Sequence, residues 1–387
     1  MFTRLRYKKP QFTNEPRNDF ERLSKSIYDY LFGLEAPGVL EFTEARGDFN
    51  SLSIGGQGLS HKNRLIGGDF TINPWCRGTT FAAAADGTYT ADRFVWNQSG
   101  AGVVTVQKTT DAPTAEEAGY YTGHCLDVDV TTADASLAAG DIYTMSQKVE
   151  GLNAASFGFG QSQSGYVTLS FWVKSTKTGV HCASLRNSAA NRAYVAEYTV
   201  FASNTWEYKT VTIPVDTSGT WLYDTGVGVT VTWCLAAGST YQTTAGAWAA
   251  GNYVATSNQV NCMDSTSNNF KVALCQLEPG KVATPFEWRH KAVEDKLCGR
   301  YAMGLNAEYI GYFLNASVGY SGMVMYPSEM RAAPTLAAGA SFTVTGGAAG
   351  TPAIAFVSTK MCQVYNSAGN WTANNAGTVT GVLTAEL

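Results

Sequence analysis

Aromatic rings on the polar side of alternating strands are where this sequence could do chemistry. In TLSFWVK, Leu169, Phe171 and Val173 form one set of a two-residue repeat and Ser170, Trp172 and Lys174 the other, which predicts Trp172 on the face opposite the core. Trp206 and Tyr208, two apart in WEYKTVTIPV, face one way by the same rule. The loop YQTTAGAWAAGNYVATSNQVNCMD adds Tyr241, Trp248, Asn252 and Tyr253, a mix in which rigid rings supply contact area and amides supply adaptable hydrogen bonds. An indole that faces water can stack on the apolar face of a pyranose ring while nearby amides and hydroxyls bond its oxygens. The competing role for each ring is to cover a second sheet, a subunit contact or a long loop, and for the loop an intersubunit clamp.

Catalysis has no comparable signal. The four histidines, His61, His124, His181 and His290, are scattered, and GxSxG, HExxH and P-loop patterns are absent from the sequence. The paired acids Glu116–Glu117 and Glu294–Asp295 read as solvated faces. A glycosidase needs two carboxylates ~5 to 9 Å apart across a cleft, a distance that sequence spacing does not test, so a depolymerase stays open beside the non-enzymatic expectation.

Strands must position the rings. YVTLSFWVK, NRAYVAEYTVF, WEYKTVTIPV and VGVTVTWCLA each alternate and end at turn residues, without intervening helix patterns, which predicts a mainly β fold built around a sandwich. FKVALCQLEPG is expected to alternate Phe270, Val272, Leu274 and Gln276 against Lys271, Ala273, Cys275 and Leu277 before the Pro279–Gly280 turn. Three regions follow: residues 1–60, an arm, helix and connector; 61–289, the sandwich; and 290–387, a linker helix within EWRHKAVEDKLCGRY and a small C-terminal β domain. In the first, Arg4 and Arg6 precede a helix started by Asn14, Glu15 and Pro16, with Phe20, Leu23 and Ile27 on one stripe. A lone amphipathic helix needs a partner for its stripe. In the last, residues 302–387 carry only Glu308, Glu329, Arg331, Lys360 and Glu386 as charges, which suggests surfaces hidden between subunits.

With 387 residues, 39 glycines and 15% charge, the composition favours strands joined by many turns over most enzyme classes. A net charge of −4 gives no global attraction to nucleic acid, and the basic start lacks a stacking platform around it. Apolar runs fall short of the ~20 residues that cross a bilayer, and no secretory leader is read at Met1, so no membrane insertion is expected. Eight cysteines form neither CxxC nor a regular framework and are read as mostly reduced.

NRLIGGDFTINPWCRGTTF, then DGTYTADRFVW, then VALCQLEPGKVATPFEWR resemble in order the jelly-roll domain of bacteriophage tail-fibre and receptor-binding proteins. GYSGMVMYPSEMRAAPTL resembles a motif that often follows it. The resemblance implies a central jelly-roll β-sandwich with carbohydrate-binding character, opened by a strand at Asn63–Gly78 and closed by one at Phe270–Arg289. It implies a homotrimer made in the host cytoplasm and carried on the phage particle. Such a protein is held to tail or virion proteins by Arg4, Arg6, Phe20, Leu23 and Ile27 and contacts host surface carbohydrate through the rings named above. A purely structural virion protein is the alternative. No cofactor is expected, although jelly-roll carbohydrate-binding modules often hold a structural calcium, for which Asp69 and Asp264 with Asn268 are oxygen donors in suitable regions.

Overall fold

The computed structural model describes residues 53–54, 57–58, 61–162, 165–310, 321–344, 352–366 and 376–387. The predicted N-terminal helix and its residues Arg4, Arg6, Phe20, Leu23 and Ile27 lie outside them. Two short strands, β1 (Ser53–Ile54) and β2 (Gln57–Gly58), come first. Residues Gln57–Leu387 form one compact unit.

The centre of that unit is a jelly-roll sandwich of two antiparallel sheets. The seven-stranded sheet runs β14 (Trp248–Ala249), β11 (Ala193–Val200), β10 (Gly179–Arg186), β13 (Val227–Ala237), β8 (Ile142–Glu150), β5 (Phe94–Ser99) and β4 (Thr88–Tyr89). The six-stranded sheet runs β12 (Glu207–Pro214), β9 (Tyr166–Ser175), β15 (Asn269–Pro279), β7 (Cys125–Thr132), β6 (Val103–Thr109) and β3 (Thr80–Phe81). The chain crosses repeatedly between sheets, as from β7 to β8, β8 to β9 and β9 to β10, so each strand turns one face to the shared core. Leu169, Phe171 and Val173 of β9 are fully buried there, and Trp233 meets Phe171 edge-on at 5.7 Å and Phe94 at 6.1 Å.

Two sequence expectations change at the junction of the opening segment with β15. Asn63–Gly78 is not a strand. It runs as turns and extended backbone, with Leu65, Phe70 and Trp75 buried in the core, and it is tied to β15 by Arg64 N to Leu277 O (2.8 Å) and Cys275 N to Gly68 O (3.1 Å). β15 does not keep one phase either. Its register against β9 shifts between Ala273 and Gln276, with Leu274 at φ 52°, so Phe270, Val272, Cys275 and Leu277 all reach the core while Leu274 faces out. A β-bulge inserts one residue and reverses the alternation after it. Gly68 permits this close approach, because a Cβ there would sit 2.2 Å from the Cys275 carbonyl oxygen.

After β15, helix α3 (Lys291–Gly299) begins at His290, whose Nδ1 accepts from Ala292 N at 3.2 Å. It leads into two small sheets. One joins β16 (Ala302–Ile310) to β22 (Ala376–Thr384), which also pairs β18 (Thr335–Leu336) and β19 (Ser341–Val344); the other runs β17 (Ser321–Met325), β21 (Met361–Asn366), β20 (Pro352–Ala355). Leu305, Tyr326, Met330, Cys362, Val364, Val379 and Leu383 form their separate core. Charged groups fasten them to the sandwich: Arg77 and Arg93 grip Glu386, Arg300 pairs with Glu150 (2.6 Å), and the Arg93 guanidinium lies 3.5 Å over the Tyr301 ring. All eight cysteines are free thiols, seven of them buried.

Candidate functional site

The outer face of the six-stranded sheet carries a groove of about 360 Å³, within the size range of small-molecule sites. Its floor comes from strand alternation: Ser170 and Trp172 of β9 point away from the core, and Tyr208 of β12 stands directly opposite Trp172 in the register. The two rings are 5.6 Å apart and tilted by 49°. The β15 bulge adds Leu274 to the same floor.

Two walls rise from connections. In one, helix α1 (Ala115–Ala118) is fixed by a capping box between Thr114 and Glu117 and ended by Gly119 at φ 82°, which presents Ala118 and Tyr120 to the groove. The other wall is Ala283–Phe286. The buried carboxylate of Glu278 anchors it, accepting from Thr284 N (2.8 Å) and Thr284 Oγ1 (2.6 Å), while Gln276 Oε1 accepts from Glu287 N (2.7 Å). Lys62 donates to Thr284 Oγ1 and to Pro285 O (3.0 Å). Tyr120 packs on Phe286 at 6.4 Å and edge-on to Trp288 at 6.3 Å. Trp288 is 50% and the neighbouring Tyr121 73% exposed, so aromatic surface continues beyond the groove.

None of the residues lining the groove is charged. Burial pushes the Tyr120 and Tyr208 hydroxyls upward in pKa, with Asp69 adding to it at Tyr120 and Glu278 at Tyr208, so both stay protonated and able to donate and accept hydrogen bonds. Flat rings beside neutral hydroxyls form a surface for stacking and hydrogen bonding.

The structure separates the residues singled out in the sequence. Trp172 is half-buried and Tyr208 45% exposed, both on the groove. Trp206 is only 8% exposed and packs with Cys125, Ala273 and Leu274, so its ring does not face water as the two-residue spacing suggested; it precedes β12 and turns under the loop that carries Tyr120. The remaining four lie on the other sheet. Trp248 closes an end of the core against Tyr194, Phe159 and Trp221, its Nε1 donating to Pro214 O at 2.7 Å. Tyr241 and Tyr253 pack on a cluster around Cys182, Val195 and Cys234, and exposed Asn252 accepts from Arg186. Sequence reasoning missed Tyr120, Leu274, Phe286 and Trp288. The aromatic density of PFEW beyond the Pro279–Gly280 turn was the available signal for two of them.

The oxygen donors weighed for calcium are not gathered into one ligand set. Asp264 pairs with Lys177 and accepts from Asn268 Nδ2 at 2.7 Å, so its oxygens are committed. Asp69 accepts from Thr71 N (2.9 Å) through Oδ1, leaves its buried Oδ2 without a partner, and lines a small cavity with Glu287, Glu294 and Arg289; that guanidinium pairs with both glutamates (3.6 and 3.4 Å) and donates to the carbonyls of Leu65 (3.0 Å) and Asn63. A fixed positive charge thus stands at the junction of the opening segment and β15. Among the described residues no cluster of three or more His, Cys, Asp or Glu could hold a metal.

No protein-family model matches the chain, and no curated protein matches it significantly. Among solved structures it is similar to TmCBM61 in complex with beta-1,4-galactotriose, at 11% identity and a TM-score of 0.26 over 57% of this chain and 99% of that one. It is likewise similar to a family 11 carbohydrate-binding module from Clostridium thermocellum in complex with a beta-1,3-1,4-mixed-linked tetrasaccharide, at 12% identity and a TM-score of 0.26 over 53% and 97%. A chain of Sulfolobus Turreted Icosahedral Virus overlaps at 7% identity and a TM-score of 0.17, over 68% and 58%.

Proposed function

We propose that the chain is a non-enzymatic component of a phage particle that binds a host surface glycan through the groove on its six-stranded sheet. One observation carries the binding: Trp172 and Tyr208 lie 5.6 Å apart in a groove whose other lining, Tyr120, Phe286, Leu274, Ser170 and Thr284, is uncharged. Sugar rings stack on such aromatic faces, and the hydroxyls of Tyr208, Tyr120 and Ser170 are placed to bond their oxygens.

The reading as a virion protein rests on the three sequence motifs that resemble, in order, those of phage fibre proteins. In that setting residues 1–60 attach the protein to tail or other virion proteins, with Arg4, Arg6, Phe20, Leu23 and Ile27 as contacts. The protein is made in the host cytoplasm and works as a homotrimer. The C-terminal sheet β17–β21–β20 supports subunit contact, because Met323, Met325 and Met361 share one face and are 52%, 77% and 40% exposed. That methionine face equally favours a second reading, a purely structural virion protein. A glycan array probed with the full-length chain and with Trp172→Ala separates them: binding lost in the variant supports the receptor-binding role, and no binding by the wild type supports the structural one.

A further inference from the structure

On the outer face of the seven-stranded sheet, one cation lacks the counter-charge that its burial calls for. Arg186 ends β10, and the register sets it in one row with Thr230 of β13 and Lys148 of β8, about two strand spacings or ~10 Å away along the sheet. The guanidinium donates to Asn252 Oδ1 and to Thr232 Oγ1 (3.1 Å), but its buried Nε–H has no partner. Ser184 Oγ, two residues back on the same face, is also buried without a partner. Lys148 is already engaged, its Nζ donating to a main-chain oxygen of Leu387 at 2.7 Å.

Among the described residues Arg186 forms no ion pair with a carboxylate. The acids of the surrounding strands and tail are already engaged: Glu150 with Arg300 and Tyr301, Glu197 with Thr256 and Asn258, and Glu386 with Arg77 and Arg93. Burial pulls the Arg186 pKa down to about 10, and Lys148 is lowered by burial and then by Arg93, Arg186 and Arg331. A buried charge without a partner is costly, and one that a fold nevertheless keeps is a candidate for function.

We infer that Arg186 forms an anion site on the outer face of the seven-stranded sheet that takes the carboxylate of an acidic sugar. The planar end of a guanidinium presents paired N–H groups that match a planar carboxylate. Around it stand exposed Asn252 and the partly exposed Tyr241 and Tyr253, groups that suit a small polyhydroxylated ligand. The site lies on the opposite sheet from the aromatic groove and does not depend on it.

Calorimetric titration of the full-length chain with sodium glucuronate, glucose and sodium phosphate, at matched ionic strength, tests the site. Glucuronate should bind at least roughly ten-fold tighter than glucose, and Arg186→Gln should remove that advantage, since a charged hydrogen bond is lost. Arg186→Gln gives up the bonds to Asn252 and Thr232, so its melting temperature is recorded beside its affinity, and Trp172→Ala should keep the wild-type glucuronate affinity. Absence of glucuronate binding, equal binding of glucose, or affinity unchanged in Arg186→Gln would each overturn the site. Phosphate binding without glucuronate binding would overturn the acidic-sugar assignment. Should Arg186→Gln fail to fold, Arg186→Lys serves instead, because an ammonium cannot reproduce the paired N–H geometry, and glucuronate affinity unchanged in it would refute the inference.

Discussion

Trp172 and Trp206 both read from the two-residue repeat as indoles on the polar side of a strand, yet they sit on opposite sides of the line between contact and support. Replacing Trp172 or Tyr208 by Ala should weaken glycan binding by about 2 kcal/mol, as truncation of a central aromatic anchor does, with little change in melting temperature. Trp206→Ala and Trp248→Ala should instead lower unfolding free energy by about 3 to 5 kcal/mol in denaturant titration, the cost of emptying a packed aromatic site. Equal melting losses in all four variants would remove the distinction. His181 gives a pH test of the same core. It is fully buried between Tyr198 and Phe270, and burial lowers its pKa from 6.5 to about 4, outweighing the hydrogen bond to Lys177 O. Between pH 6.5 and about 4 the unfolded chain binds a proton that the folded chain does not. Stability from this residue is therefore intact above pH 6.5, falls as pH drops through that window by on the order of 3 kcal/mol, and levels below it. Thermal melts across that range should show the fall in the wild type and a flatter profile in His181→Gln.

Regular strands were legible in the sequence because their alternation is a local signal: β9, β11, β12 and β13 appear where the two-residue repeat places them, and β9 turns Trp172 outward as read. The opening segment and β15 were not, because a contact more than 200 residues distant in sequence decides them. Gly68 O accepts from Cys275 N, and that close approach accompanies the bulge that sends Leu274 outward to the groove floor. The groove walls were missed for the same reason, since Tyr120 and Phe286 acquire meaning only when the Thr114 cap and the Glu278 anchor fold two connections over the sheet. Gly68→Ala should therefore cost about 2 kcal/mol or more through the forced backbone shift and should weaken ligand binding with it, as denaturant titration and calorimetry can show in parallel. Glu278→Ala should release Thr284 and loosen binding in the same assay while Trp172 and Tyr208 remain paired.

At the scale of the molecule, the small C-terminal sheets have their own core but are fastened to the sandwich by few charged contacts, with Glu386 held between Arg77 and Arg93. Removing one partner of a buried ion pair leaves the others uncompensated, so Glu386→Ala should lower stability by about 3 kcal/mol or more, read by calorimetric melting. Met323 and Met325 lie on the exposed face proposed for subunit contact, and Met325→Glu should shift light-scattering mass from trimer toward monomer; a wild-type monomer at micromolar concentration would contradict the trimer itself. Function at this scale turns on whether the aromatic groove recognises sugar, as proposed. The most direct measurement is the binding of full-length wild type and of folded Trp172→Ala to one glycan array, with melting temperatures recorded for both. Discrete glycan signals are expected for the wild type and should disappear in the variant at unchanged melting temperature; signals that persist in the variant, or a wild type that binds no glycan, would rule out sugar recognition by the groove.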